Sequence, residues 1–183
     1  MITYDNLRTA YFQTIQGKQH RHRVQQFKQN FVSELCQLYK ELKTRTYKPS
    51  TPKSFDIWCT AGQKVRRITA PQFRDLIVQR LIYNYVYDTF DKGFIFDSYG
   101  CRKNKGAERA ADRTQLFIRK SPKDSYYLQI DIRHYYYNIR KEVIRESLER
   151  KIKDREIVNL LLMFMHDVGV DVGSIVAQLF GLI

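Results

Sequence analysis

An apolar stripe near the N-terminus constrains the fold more than any other feature of the sequence. Between residues 19 and 42, apolar side chains recur every three or four positions, and they are Val24, Phe27, Phe31, Leu35, Leu38 and Leu42. This spacing places them along one side of an α-helix, and that side has to be buried against other elements. The sequence therefore predicts one long helix over residues 19–42, preceded by a short helix over residues 4–16.

A β-hairpin and a second long helix are predicted next along the chain. Phe55 and Ile57 alternate with polar neighbours, residues 61–62 suit a turn, and residues 65–69 can form the returning strand. Pro71 then marks a helix start, because proline is well tolerated in the first turn of a helix. The apolar ladder of that helix is Phe73, Ile77, Leu81 and Tyr85.

The second half of the chain is predicted to be mainly helical, with one strand inserted. Helices are expected over residues 107–118, 141–152 and 154–166, and residues 168–172 form a short turn or strand. Ser174 can cap a last helix. Residues 126–132 alternate as a strand does, with Leu128, Ile130 and Ile132 on one face. Helices with a few inserted strands predict an α+β fold.

The net charge of +13 predicts a polyanionic partner, because lysines and arginines replace the counterions of phosphates. The basic residues form two separate clusters, which fit a groove that follows a nucleic-acid backbone better than a single disordered tail. From these clusters, the candidate nucleic-acid-binding residues are Arg21, Arg23, Lys28, Arg102, Lys103, Lys105 and Arg109. A basic protein with no nucleic-acid role is the alternative interpretation of the charge.

The cysteines and the apolar runs indicate a cytoplasmic protein. Cys36, Cys59 and Cys101 are far apart, with neither a metal-ligand spacing nor a disulfide pattern, and reduced thiols are typical of the cytosol. No apolar run approaches the roughly 20 residues of a membrane span. We therefore expect reduced cysteines and no association with a membrane.

Asp131 stands out as a candidate metal ligand. It lies near the end of the predicted apolar strand, on the face away from the core, and an acidic side chain there needs a cation or hydrogen bonds. A magnesium ion would suit it, since Mg²⁺ prefers carboxylate oxygens. The strand pattern alone also permits a second interpretation, in which Asp131 pairs with Arg133 or Arg140.

Four segments, in order, resemble motifs of the reverse transcriptase family. They are VRRITAPQFRD at 65–75, FDSYGCRKNKG at 96–106, LQIDIRHYYYNI at 128–139 and GVDVGSIVAQLF at 169–180. The resemblance covers residues 44–183. It is nearest the bacterial branch that includes diversity-generating retroelement, retron-like and group II intron-type enzymes and phage-defence systems. Their order and spacing make the four motifs together far more specific than any one alone.

The resemblance implies a domain division and an activity. Residues 1–43 would be an N-terminal helical extension, residues 44–124 the fingers, and residues 125–183 an incomplete palm. The activity implied is RNA-directed DNA polymerisation, with RNA template, primer and deoxynucleoside triphosphates as partners. In the intact enzyme two Mg²⁺ ions would be held by Asp131 and by the backbone carbonyl of Ile132, among other ligands.

The resemblance also assigns nucleotide-binding residues. Arg66 and Lys64 match the position of the fingers clamp on the triphosphate, and a solvated hairpin tip is the alternative. Tyr136, next to Tyr135, matches the aromatic residue that excludes a ribose 2′-hydroxyl, and a core aromatic is the alternative. Gly173 matches a glycine that lies against the nascent base pair.

Departures from the family pattern limit the implied activity. Asp171 stands where this branch usually has proline, Ala177 where it has serine, and Val172 where high-fidelity relatives have glutamine. No Asp-Asp pair occurs in the sequence, although the family's next motif supplies one to complete the metal site. We therefore expect this chain alone to be inactive. A non-catalytic RNA-binding module is the alternative function.

The unpaired edge of the Asp131 strand and the apolar run at residues 175–183 also predict self-association. Backbone groups at an exposed edge pair readily with another chain, and uncovered apolar surface adds to the tendency. A two-fold homodimer is the expected form, since closed symmetric pairs are the commonest outcome.

Overall fold

The computed structural model describes residues 2–171 and 174–181, and at residues 61 and 66 it describes the backbone alone. In this part of the chain, nine α-helices accompany one two-stranded antiparallel sheet, so the fold is α+β as expected. The elements are α1 (Tyr4–Ile15), α2 (His22–Gln29), α3 (Phe31–Lys43), β1 (Lys53–Cys59), β2 (Lys64–Ala70), α4 (Phe73–Asp91), α5 (Ala107–Lys120), α6 (Tyr135–Asn138), α7 (Lys141–Lys151), α8 (Arg155–Leu162) and α9 (Ile175–Phe180).

Helix α4 is the centre of the fold. Its N-cap is Gln72, directly after Pro71, and the helix packs against α1, α2, α8 and α9. Ile77, Val78 and Ile82 are wholly buried, and they lie on several sides of the helix because neighbours surround it. Tyr85, which was predicted to belong to the buried ladder, is instead half-exposed.

The N-terminal helices form an aromatic core with α4. The ring of Tyr11 lies 5.6 Å from that of Phe27 and 4.6 Å from that of Phe31, and Phe27 meets Phe73 edge-on at 5.0 Å. Such ring pairs add to the free energy of burying their area. The apolar stripe of the sequence thus anchors α2 and α3 to α1 and α4.

The long helix predicted over residues 19–42 is wrong as a single element, because it is divided into α2 and α3. Asn30 separates the two helices, with φ −114° and ψ 28°, and its carbonyl accepts the first hydrogen bond of α3 from Glu34. Asparagine favours such boundaries because its side chain competes for backbone hydrogen bonds. The buried side still continues across the break, from Val24 to Leu42.

The predicted hairpin is confirmed. Strands β1 and β2 pair in antiparallel register from Lys53 opposite Ala70 to Cys59 opposite Lys64. A 3₁₀ turn over Thr60–Gly62 and a left-handed residue, Gln63, connect them. The side chains of β1 are exposed on both faces except near Cys59, so the hairpin is held mainly by its own backbone hydrogen bonds.

The strand predicted over residues 126–132 is wrong, because this segment forms no regular structure. Its apolar side chains are exposed, and Leu128 and Ile130 are 84% and 78% accessible. A strand requires hydrogen bonds to a neighbour, and no described residue supplies one here. After His134, which has a left-handed backbone (φ 53°), the chain enters the short helix α6, which the sequence did not predict.

The C-terminal helices follow the expected order. Helix α8 begins after Asp154, whose carboxylate accepts from the backbone of Glu156 and Ile157, and it ends at Leu162 rather than at residue 166. The cap predicted at Ser174 is confirmed, since its hydroxyl accepts a 2.9 Å bond from the Ala177 N–H. Among the described residues, no helix combines the length and apolarity needed to cross a membrane.

Candidate functional site

The loop between α4 and α5 contains several of the predicted nucleic-acid-binding residues, and Arg102 holds it together. The Nε atom of Arg102 donates a 2.8 Å bond to Oδ1 of Asp91 at the end of α4. Its Nη1 atom donates to the backbone carbonyls of Ile95 and Ser98. The hydrogen bond from Arg102 holds the pKa of Asp91 below its ordinary value. With 9% of its side chain accessible, Arg102 ties the loop to α4.

Two other cations of the loop, Lys103 and Lys105, lie on aromatic rings. The Nζ atom of Lys105 lies 4.1 Å from the centre of the Phe96 ring, and it donates a 2.6 Å bond to the Phe96 carbonyl. Lys103 lies 4.4 Å from the Tyr87 ring. Cations placed over aromatic faces are attracted by the ring electrons, which orders long side chains at a surface. The loop therefore presents positive charges that lie over aromatic side chains.

Arg113 of α5 extends this surface. Its Nε atom donates a 2.8 Å bond to Oδ1 of Asp97, and its guanidinium lies 4.6 Å from the centre of the Phe117 ring. The hydrogen bond from Arg113 lowers the pKa of Asp97. Arg113 lies in a stretch rich in basic residues, 102–120, but was not predicted to be a site residue. Its ion pair shows that it also braces the loop.

The remaining predicted nucleic-acid-binding residues are at the surface. Arg109 is exposed, and its guanidinium donates to the Asn104 carbonyl. On the N-terminal helices, Arg21, Arg23 and Lys28 are all exposed, around the helix α2 whose buried side contacts α4. Exposed cations of this kind are accessible to the phosphates of a nucleic acid.

Asp131 lies in the exposed segment after α5. Its carboxylate makes no ion pair or hydrogen bond with the described part of the chain, so it is not paired with Arg133 or Arg140. No group of three or more His, Cys, Asp or Glu residues that could hold a metal ion occurs among the described residues. Asp131 and the carbonyl of Ile132 are thus too few oxygens to make a two-magnesium site by themselves.

The two candidate nucleotide-binding tyrosines lie against other motif segments. The hydroxyl of Tyr135 is 3.5 Å from the Phe180 carbonyl. The Tyr136 hydroxyl approaches Gly181 so closely that a Cβ atom there would lie 2.9 Å from it. Burial raises the pKa of Tyr136, with smaller contributions from Cys101 and Tyr135. The Tyr136 side chain therefore lies against the residue that follows α9.

Backbone hydrogen bonds join the motif segment of residues 128–139 to the motif segment of residues 169–180. Val170 donates to the Tyr136 carbonyl at 2.9 Å, and Gly169 donates to the Ile139 carbonyl at 2.8 Å. Gly169 has φ +91°, and a Cβ atom on it would lie 3.1 Å from the Tyr137 carbonyl oxygen. Only glycine meets both conditions without strain. This role of Gly169 was not predicted, although the residue lies within one of the four motifs, and a search for glycines at turns could have found it.

The hairpin places the predicted triphosphate residues on β2. Lys64 is exposed at the first position of the strand, opposite Cys59, and Arg66 lies opposite Ile57. The side chain of Arg66 lies outside the described part of the structure, as does the whole of Gly173. The one tryptophan of the chain, Trp58, is exposed on the adjacent strand.

Comparison with known proteins adds no family assignment. No protein-family model matches the chain, and no curated protein is significantly similar to it. What the structure defines is an α+β chain with a cationic loop between α4 and α5, an exposed Asp131, and two tyrosines that contact the end of α9.

Proposed function

We propose that the chain is the fingers and the first part of the palm of an RNA-directed DNA polymerase. The observation that carries this proposal is the position of Tyr136, five residues after Asp131, where its hydroxyl lies against Gly181 and its carbonyl accepts from Val170. Two of the four segments that resemble reverse transcriptase motifs, residues 128–139 and 169–180, are thus in contact. Motifs that act on one nucleotide have to converge in this way, although they are far apart in the sequence.

The surface charge supports the same proposal. The loop of residues 96–106 carries Lys103 and Lys105 on aromatic rings, and the exposed cations of α2 add a second basic area. Phosphates of a template and primer are the natural ligands of such surfaces, and their binding releases counterions. The partners we propose are accordingly RNA template, primer and deoxynucleoside triphosphates, and the proposed location is the cytoplasm.

Catalysis is not assigned to the described residues alone. Polymerases of this class use two Mg²⁺ ions to stabilise the attacking and leaving oxygens. The described residues offer Asp131 and a backbone carbonyl but no cluster of further acidic ligands. We therefore propose nucleic-acid binding for this chain, and polymerisation only for a polypeptide that supplies the remaining ligands.

RNA binding is tested directly with the 183-residue chain. The fluorescence of Trp58 and the anisotropy of a labelled RNA–DNA hybrid report on binding at several salt concentrations. We expect affinity to fall steeply with salt, and Lys103→Ala to lower the slope of log affinity against log salt by about one. Lys153→Ala is the control, since Lys153 is exposed and belongs to neither group of predicted nucleic-acid-binding residues. Binding that is insensitive to salt would refute the proposal.

A primer-extension assay separates the polymerase from the non-catalytic RNA-binding module. The 183-residue chain is expected to bind without extending a primer. A polypeptide that continues past residue 183 is expected to extend it, and Asp131→Ala should abolish extension while binding persists. If the longer polypeptide binds RNA but never extends a primer, the chain is a binding module instead.

A further inference from the structure

An open groove of about 890 Å³ lies between the C-terminal half of α5 and the segment of residues 121–127. This volume is within the range of ~300–1,000 Å³ that is typical of ligand sites. Its aromatic and aliphatic wall consists of Phe117, Ile118, Tyr126 and Tyr127. A ligand can reach these side chains, because Tyr126 and Tyr127 are 100% and 91% accessible.

Local hydrogen bonds connect the two walls of the groove. The Ser121 hydroxyl donates a 2.9 Å bond to the Phe117 carbonyl, and the Ser121 N–H donates to the same carbonyl at 3.0 Å. The backbone of Ser125 then donates to the Pro122 carbonyl at 3.1 Å, in a turn directly before the tyrosines. Part of the groove is therefore formed before a ligand binds, which reduces the entropy that binding loses.

The charge of the groove is positive. Arg119 and Lys123 belong to its lining, and no acidic residue does among the described positions. Both side chains are exposed, and neither makes an ion pair with the described part of the chain. Unpaired, accessible cations of this kind attract phosphates and release their counterions.

A series of cation–aromatic contacts connects the groove to the loop of residues 96–106. Lys105 lies 4.1 Å from the centre of the Phe96 ring, and the guanidinium of Arg113 lies 5.4 Å from the centre of the same ring. Arg113 also lies 4.6 Å from the centre of the Phe117 ring, which lines the groove. The cations of the loop and those of the groove therefore lie along one surface.

We propose that this groove binds an unpaired stretch of RNA, with bases on the tyrosines and phosphates on Arg119 and Lys123. Neither tyrosine ring contacts another ring or a cation within the described structure, so its faces are open to a base. Base stacking beside a cationic track is how proteins hold single strands without reading their sequence. A duplex does not bind in this way, because its bases are already stacked within the helix. The inference rests on the proposed nucleic-acid function and adds a single-strand site to it.

A protein partner explains fewer of these features. A helix or strand with an apolar face would cover Ile118 and the tyrosines but would bring no charge to Arg119 and Lys123. A cluster of acidic side chains would pair with the two cations but would leave the ring faces uncovered. A nucleic-acid strand carries a planar base and a phosphate in every unit, so it satisfies both.

Fluorescence anisotropy with two labelled strands tests the proposal on the 183-residue chain. The first is an unstructured RNA of about ten nucleotides, within the site sizes of single-strand-binding folds. The second has the same sugar–phosphate backbone with its bases removed. We expect the RNA to bind at least about fivefold more tightly than the abasic strand, and the ratio to persist at high salt. Equal affinities for the two strands would show phosphate binding alone and would overturn the proposal.

Substitution of the tyrosines locates the bases. Tyr126→Leu combined with Tyr127→Leu removes both rings and keeps apolar bulk, and it should bring the ratio of the two affinities close to one. The matched control combines Phe12→Leu with Tyr85→Leu, which replace half-exposed aromatic residues of α1 and α4, and it should leave the ratio unchanged. Circular dichroism checks the fold, and Tyr126→Leu alone serves if the double variant does not fold. An unchanged ratio in the tyrosine variant overturns the proposal.

Substitution of the cations and a duplex probe complete the test. Arg119→Ala and Lys123→Ala should weaken the RNA and the abasic strand alike, and each should lower the slope of log affinity against log salt by about one. The labelled RNA–DNA hybrid separates this inference from the proposed function. If the hybrid binds in a salt-dependent way while the RNA and the abasic strand bind equally, the groove proposal alone is wrong. If neither the hybrid nor the strands bind, the proposed function is wrong as well.

Discussion

The hydroxyl of Tyr47 donates a 2.6 Å hydrogen bond to Oδ1 of Asp75, in a region where both side chains are buried. The same carboxylate accepts from the backbone of Ser50, so it connects the segment before the hairpin to the first turn of α4. Burial raises the pKa of Asp75, while the bonds from Tyr47 and Ser50 act in the opposite direction. Asp75 therefore helps to fix the position of the hairpin relative to α4, together with the bond from Gln72 to the Thr51 carbonyl.

Removing the Tyr47 hydroxyl should destabilise the protein. In Tyr47→Phe, Oδ1 of Asp75 stays buried without its donor, and such a loss costs about 1–3 kcal/mol. Urea unfolding measures the change. Tyr39→Phe is the matched control, because the Tyr39 hydroxyl makes no hydrogen bond among the described residues, and its effect should be below about 0.5 kcal/mol.

The effect of Tyr47→Phe should also depend on pH. A carboxyl whose folded pKa is raised contributes most to stability below its unfolded pKa, and this contribution is lost as pH rises through the folded pKa. Without the Tyr47 hydroxyl the pKa of Asp75 rises further, so the substitution destabilises the folded state most when Asp75 is charged. The free-energy difference between the unmodified chain and the variant should be larger at neutral pH than at pH values below the ordinary carboxyl pKa. The reverse order would mean that the bond does not favour the carboxylate.

Much of the secondary structure was predictable because local spacing determines it. The hairpin, α4, α5 and the Ser174 cap lie where periodicity and capping residues place them. The division at Asn30 was not predicted, because the apolar stripe continues across it on the same side. The strand predicted over residues 126–132 needed a partner strand, and alternation within a segment carries no information about its neighbours.

The site was predictable in its residue types but not in their contacts. Arg102 was selected as a phosphate ligand because it belongs to a basic cluster, yet its guanidinium binds Asp91 and two loop carbonyls. A sequence does not show which cation of a cluster has an acceptor eleven residues earlier. The same applies to Tyr136, whose position against Gly181 depends on the packing of α9.

Arg102 and Lys105 are expected to differ when each is replaced by alanine. Arg102→Ala removes the ties between the loop and α4, so both the unfolding midpoint and RNA affinity should fall. Lys105→Ala should lower RNA affinity with a smaller change in the unfolding midpoint, because its ammonium makes one backbone bond. Thermal unfolding and RNA anisotropy, measured on both variants, check this. Equal loss of stability in the two would contradict the assigned roles.

Gly169→Ala is expected to destabilise the contact between the segments around Tyr136 and Val170. A residue with a side chain is strained at a φ of +91°. The added Cβ atom would also lie 3.1 Å from the Tyr137 carbonyl oxygen. Residues held in such backbone regions cost of order 1–3 kcal/mol. Gly100→Ala is the matched control, since nothing lies within 4 Å of its Cβ position and its φ lies outside the left-handed range. Chemical unfolding of both variants should show a loss for Gly169→Ala alone.

Asp131→Ala should leave the fold unchanged. The Asp131 side chain is exposed and makes no described contact, so the free energy of unfolding should change by less than about 0.5 kcal/mol. RNA affinity should stay the same or increase slightly, because a negative charge is removed from a basic protein. This variant therefore tests catalysis in a longer polypeptide without disturbing structure. A large loss of stability would show that Asp131 has a structural partner.

The segment of residues 126–132 is expected to mediate self-association. Its backbone makes no hydrogen bonds among the described residues, and Leu128 and Ile130 are exposed. An antiparallel pair of two copies centred on Gln129 would place Tyr127 opposite Asp131, so the two carboxylates would not face each other. Self-association should strengthen with salt, since each chain carries +13 and the repulsion is screened.

Light scattering should give about twice the 21.9 kDa of one chain. Ile130→Lys should give monomers, while Val143→Lys, on the exposed side of α7, should not, and a monomer at high micromolar concentration would contradict the prediction.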